Sequence, residues 1–228
     1  MAQIKNRESR DSRKRVLLVD DHAVVRYGIA QLLSRESDFV VCGEEEDAGN
    51  ALDAIRKLTP DLVIADLSLK ESSGLELARN LKAEFPSLPI LVVSTHDESI
   101  YSEVALRAGA MGYLMKDDAL GQVVAAARRV LSGDIYLSPT QTARMLLRQR
   151  RTPSTTNTSP VEVLTDRELD VFQLIGRWKR TGEIAKELHL SVKTIEYYRE
   201  QIKRKLDLNT AAELTQYATT WVQRELPV

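Results

Sequence analysis

The chain has 228 residues, 43% hydrophobic and 29% charged, with a net charge of −1. That is enough apolar mass for a core and a length compatible with one or two domains. No apolar run approaches the ~18 residues of a membrane span. The charged N-terminus MAQIKNRESRDSRKR lacks a secretory core, and the single cysteine, Cys42, excludes an intrachain disulfide. A cytoplasmic protein with no membrane partner is expected.

Charge divides the chain. Residues 1–15 carry six Lys/Arg against two Asp/Glu, and residues 16–138 carry eleven against twenty. Residues 139–160 carry four against none, and residues 161–228 carry eleven of each. The order is a basic tail, an acidic body, a basic connector and a balanced end. An acidic body favours cations over polyanions.

Five short apolar runs punctuate the acidic body: VLLVD (16–20), FVVC (39–42), LVIAD (62–66), ILVVS (90–94) and GYLMK (112–116). They show little polar alternation, as strands buried on both faces do. Helical patterns lie between and after them, at 23–35, 48–58, 74–84, 98–108 and 119–131. Asp118 is expected to cap the last, and Pro60, Gly109 and Gly133 to mark ends. Alternation of this kind predicts an α/β, doubly wound, five-stranded parallel sheet of order 2-1-3-4-5. Ser138 and Pro139 look like the cap and first turn of a further short helix. RTPSTTNTSPVE (151–162) reads as a flexible linker. From Val163 onward every pattern is helical. Thr165 with Glu168, and Thr210 with Glu213, have capping-box spacing.

Ligands of open parallel sheets bind beyond the carboxyl ends of the strands, at the point where the order reverses. The first strand ends in Asp20 and Asp21, the third in Asp66, the fourth in Ser94 and Thr95, and the fifth in Lys116. Neighbouring strands lie only ~4.8 Å apart. Three carboxylates gathered there need a cation, and hard oxygen ligands favour Mg²⁺, which in turn favours a phosphate oxygen.

In the last region, SVKTIEYYREQIKRKL forms a helix that turns by about 100° per residue. Ile195, Tyr198, Ile202 and Leu206 then share one face. Lys193, Glu196, Tyr197, Glu200, Lys203 and Arg204 share the opposite one. EIAKELHL precedes it across a tight break, as in a helix-turn-helix. Leu214, Tyr217, Ala218 and Trp221 recur at helical spacing in the final helix.

The motifs LLVDDH, DLVIADLSLKESSG, ILVVST and GYLMK resemble the receiver domain of two-component response regulators, a flavodoxin-like fold, over residues 16–138. LT-x-RE at 164–168, Glu183-Ile184-Ala185, Leu188, Ser191-x-Lys193-Thr194-Ile195 and Lys205-Leu206 resemble the LuxR-type helix-turn-helix domain, over 163–228. Together they are similar to the NarL/FixJ type of response regulator, a phosphorylation-controlled DNA-binding transcriptional regulator and not an enzyme. The resemblance implies that a sensor histidine kinase phosphorylates Asp66. It assigns Mg²⁺ to Asp20, acting mainly through a metal-bound water, Asp21, Asp66 and the backbone carbonyl of Ser68. It assigns Ser94 and Lys116 to the phosphoryl oxygens, and Tyr113 as the aromatic that moves with Ser94. Base contacts fall to Glu196, Tyr197 and Glu200, because glutamate accepts from a cytosine amino group. Phosphate contacts fall to Lys193, Thr194, Lys203 and Arg204. Leu214, Tyr217 and Trp221 are expected at a homodimer contact, formed when the chain is phosphorylated and binds promoter DNA.

Three positions depart from the pattern: Lys70 replaces a common proline, Trp178 a frequent glycine and Tyr198 a common histidine. Two other readings compete. A phosphatase with an aspartate nucleophile would carry D-x-D after the first strand, whereas here the acids are adjacent. A phosphorylation-independent interaction protein would not need the intact acid, hydroxyl and lysine set.

Overall fold

The computed structural model describes residues 12–69, 72–151 and 160–225. Most of the basic N-terminal tail, Lys70 and most of the expected linker lie outside the described residues.

The first part alternates β1 (Lys14–Val19), α1 (Ala23–Ser34), β2 (Phe39–Glu45), α2 (Ala48–Leu58), β3 (Leu62–Ala65), the two-residue strands β4 (Ser68–Leu69) and β5 (Ser72–Ser73), α3 (Gly74–Glu84), β6 (Ile90–Ser94), α4 (Glu98–Ala108), β7 (Gly112–Met115) and α5 (Lys116–Leu131). The main sheet is parallel with order β2-β1-β3-β6-β7. This is the expected order, with a small antiparallel β4–β5 pair interposed along the chain.

Successive residues of a strand face opposite sides of the sheet. Val16 and Leu18 therefore pack with Ile29, Leu33, Val123 and Val130 under α1 and α5. Leu17 and Val19 pack with Ile55, Leu81 and Tyr101 under α2, α3 and α4. Each fully buried aliphatic side chain contributes about 2 kcal/mol.

Element ends differ from expectation in several places. β1 begins at Lys14, and the Lys14 amide donates to the Asp38 carbonyl at 2.7 Å, so the sheet takes in the last residues of the basic tail. β2 runs three residues further, to Glu45, by pairing along β1. β3 ends at Ala65, leaving Asp66 just beyond the strand. α5 begins directly at Lys116 with Met115 as its cap. Asp118 therefore lies in the first turn, where its charge complements the helix dipole, rather than at the cap. Thr59 and Gly109 close α2 and α4 in the left-handed conformation.

A further helix, α6 (Pro139–Arg151), starts at the Ser138 cap, whose hydroxyl accepts from the Gln141 amide at 3.1 Å. After a 3-10 turn (Pro160–Val163) the chain is helical: α7 (Asp166–Gly176), α8 (Thr181–Glu187), α9 (Val192–Lys205) and α10 (Ala211–Glu225). The Thr165–Glu168 capping box forms as the spacing predicts. Phe172, Ile184, Ile195, Ile202, Leu214 and Ala218 are all fully buried. A Cβ on Gly176 would lie 2.5 Å from the Ala218 carbonyl oxygen, so only glycine lets α7 and α10 approach this closely.

Candidate functional site: a phosphoacceptor pocket and a recognition helix

Loop geometry sets the acidic pocket. The Asp66 amide donates to the Val19 carbonyl at 2.8 Å, so the residue leaving β3 is still held beside β1. The Gly74 amide donates to the Leu67 carbonyl at 2.7 Å. A Cβ on Gly74 would lie 2.1 Å from the Asp66 carbonyl oxygen, so the loop closes over Asp66 only because this residue is glycine.

Asp20, Asp66 and Ser94 are buried at 5%, 2% and 0% exposure. Lys116 Nζ bridges the two carboxylates: it lies 2.8 Å from Asp20 Oδ2 and 2.8 Å from Asp66 Oδ2. Burial alone would push the ammonium toward neutrality, but Asp66 and Asp20 outweigh it and raise the Lys116 pKa. Burial raises the Asp66 pKa, and Lys116 opposes that shift only in part. Asp66 Oδ1, in contrast, is buried with no hydrogen-bond partner among the described residues. A buried carboxylate oxygen without a partner is costly.

Asp21 is partly exposed and pairs with His22 Nδ1 at 2.6 Å. The ligand atoms of Asp20, Asp21, His22 and Asp66 lie within 4.8 Å of one another, a spacing that suits one cation. These oxygen donors and the orphaned Asp66 Oδ1 fit a hard divalent ion. Ser68 opens β4 two residues past Asp66, and its hydroxyl is also buried without a partner among the described residues.

Ser94 and Tyr113 do not face Asp66 alone. Ser94 Oγ pairs with His96 Nδ1 at 3.0 Å, and Tyr113, itself 0% exposed, donates to the His96 carbonyl at 2.8 Å. His96 Nε2 lies 3.1 Å from Asp170 Oδ1 on α7, which also accepts from the Tyr101 hydroxyl. Sequence reasoning missed His22, His96, Tyr101 and Asp170. His22 and His96 stand in view beside the motifs, in DDH and STH. No sequence pattern pairs Asp170 with residues some seventy positions away.

The second surface is α9. Ser191 caps it, accepting from the Thr194 amide at 3.0 Å. Ile195 and Ile202 are fully buried and Tyr198 and Leu206 partly so, as the helical spacing predicts. Lys193, Glu196, Tyr197, Glu200 and Arg204 are exposed and Thr194 is half-buried. Lys203 is also half-buried and pairs with Glu200 at 2.9 Å. Trp178, in place of glycine, has φ 62° at the end of α7 and is 71% exposed. The turn keeps the left-handed conformation that glycine would adopt.

On α10 the expectation needs correcting. Leu214 is fully buried and serves the domain core, because the helix turns this residue onto the buried face, so it offers nothing to a dimer. Tyr217 and Trp221 are partly buried against Phe172, with ring centroids 5.9 and 5.7 Å away.

The response regulator receiver domain family matches residues 16–128, and the luxR family of bacterial regulatory proteins matches residues 162–218. The oxygen regulatory protein NreC of Staphylococcus carnosus is 33% identical over 208 residues, 90% of this chain and 96% of that protein. The response regulator GacA of Pseudomonas viridiflava is 34% identical, covering 88% and 92%. Among solved structures, RcsB of Salmonella enterica serovar Typhimurium, bound to a promoter in the presence of the phosphomimetic BeF3-, is 26% identical with TM-score 0.54, covering 91% and 98%. The chain belongs to the LuxR-type response regulators: a receiver joined to a DNA-binding domain, controlling transcription under phosphorylation. Among the described residues no helix is long and apolar enough to cross a membrane.

Proposed function

We propose that Asp66 accepts a phosphoryl group from the phosphohistidine of a sensor histidine kinase in the cytoplasm. The phosphorus–nitrogen bond breaks as a phosphorus–oxygen bond forms to Asp66, and the kinase imidazole keeps the electron pair. Lys116 Nζ, 2.8 Å from Oδ2, holds the carboxylate in place for this attack. The orphaned, buried Oδ1 is the observation that carries this reading. Asp20, Asp21, Asp66 and the carbonyl of Ser68 would hold Mg²⁺, which would supply positive charge to the phosphoryl oxygens. Lys116 and Ser94 position those oxygens, and Tyr113 follows the Ser94 hydroxyl.

The output is DNA binding. Lys193, Thr194, Lys203 and Arg204 meet phosphates, while Glu196, Tyr197 and Glu200 read base edges in the major groove. Phosphorylation favours a homodimer on two half-sites, with Tyr217 and Trp221 of α10 at the contact. The solved RcsB structures, which include two RcsB dimers bound to two parallel DNAs, support this use of the scaffold.

Incubation with a small phosphodonor and Mg²⁺, followed by intact mass, tests the acceptor. One added phosphoryl group, lost in Asp66→Asn, is expected. An unmodified wild-type chain overturns the assignment.

A further inference from the structure

The contact between the two domains holds several ionisable groups that phosphoryl transfer does not use. Asp166 opens α7 and is only 2% exposed, and among the described residues neither carboxylate oxygen has a hydrogen-bond partner of good geometry. The groups that face it from the receiver are the Ser73 hydroxyl, the Leu75 amide and the His96 imidazole; from its own helix, Asp170 faces it. His96 is held between the domains. Its Nδ1 meets Ser94 Oγ at 3.0 Å and its Nε2 meets the Asp170 carboxylate at 3.1 Å. Tyr101 packs edge-on against the His96 ring, with centroids 4.6 Å apart, and donates to Asp170. Arg167, 3.7 Å from Asp170 and half exposed, is the nearest cation on α7. Asp66 and Asp166 both bias His96 toward its charged form.

Two carboxylates thus act on one imidazole: Asp170 touches it and the buried Asp166 faces it, at a contact largely shielded from water. An unpaired buried carboxylate is stable only when it is neutral. A protonated imidazole satisfies the hydroxyl and the carboxylate at once, because both of its nitrogens then donate. We propose that α7 docks on the receiver as an acid-favoured clasp: the docked arrangement takes up protons at Asp166 and His96 that the separated domains release.

The signs agree. In the docked chain burial raises the Asp166 pKa from the ordinary carboxylate range to about 7. A group raised on docking opposes docking above its undocked pKa. For Asp166 that opposition grows about tenfold per pH unit from about 4 to about 7 and then levels off. Burial lowers the His96 pKa, but Asp170 outweighs it and the net direction is up. His96 therefore strengthens docking in acid and loses that contribution as pH rises through its docked pKa. Asp166 alone makes the docking constant fall about tenfold between pH 6 and pH 8.

Small-angle X-ray scattering of the full, unphosphorylated chain from pH 5.5 to 8.5, at concentrations where it is monomeric, tests the clasp. A compact chain in acid that extends as pH rises is expected. Asp166→Asn, nearly isosteric and always neutral, is expected to stay compact at pH 8. Asp170→Ala is expected to be extended throughout, and the His96 C2-proton titration is expected to move back down in it. Should Asp170→Ala fail to fold, Asp166→Asn still decides. A wild-type profile independent of pH, or an Asp166→Asn profile that tracks the wild type, overturns the proposal. No phosphodonor enters these measurements, so their failure would leave the assignment of Asp66 untouched.

Discussion

The acidic pocket of the receiver and the outer face of α9 are both charged, yet they are built in opposite ways. The pocket collects a few buried groups from the ends of separate strands, and Lys116 answers two carboxylates at once. The α9 face lines up exposed groups along one helix, where the Lys203–Glu200 pair is a short-range surface contact. Buried charges depend on each other strongly because nothing else screens them; exposed charges act almost singly. Substitutions in the pocket are therefore expected to act in an all-or-none way, and those on α9 in graded steps.

The sharpest break is Asp66→Asn, for which complete loss of phosphoryl uptake by intact mass is expected. Next is Lys116→Met, which leaves Asp20 and Asp66 facing each other without a cation. Urea unfolding without Mg²⁺ should show a loss of about 3 kcal/mol, and added Mg²⁺ should restore part of it. On α9, Glu196→Ala should change sequence preference by about 1–3 kcal/mol at one base position. Lys203→Ala should weaken all sequences alike and lower the salt slope by about 1. Binding titrations on specific and random duplexes at several salt concentrations separate the two. If Glu196→Ala weakens both duplexes equally, it does not read a base. The smallest effect lies outside both regions. Trp178→Gly should stabilise the DNA-binding domain to heat by about 1 kcal/mol, since glycine relieves a left-handed backbone.

How far the sequence could be read follows the same division. The sheet order and the helix positions were legible because apolar runs and helical periods are local. Asp20, Asp66, Ser94 and Lys116 were legible because strand ends of one sheet converge. The α9 faces followed from a single helical period. Element ends were not legible where pairing between elements sets them, as when β2 lengthens along β1. Leu214 was misjudged because its spacing fits both a core and a contact surface; only the packing of α10 on α7 decides. Asp166 and Asp170 look like solvated acids in the motif that opens the last domain. Their burial against Ser73 and His96 depends on how two separately patterned units meet, and no periodicity encodes that.

Glu168 has a consequence beyond capping. Its carboxylate, 4% of the residue exposed, accepts from the Thr165 amide at 2.7 Å and from Lys205 Nζ at 2.6 Å. The first turn of α7 is thereby riveted to the last residue of α9. A displacement of α7 is passed on to α9 through this contact, as the stroke of a lever whose two arms share one pin.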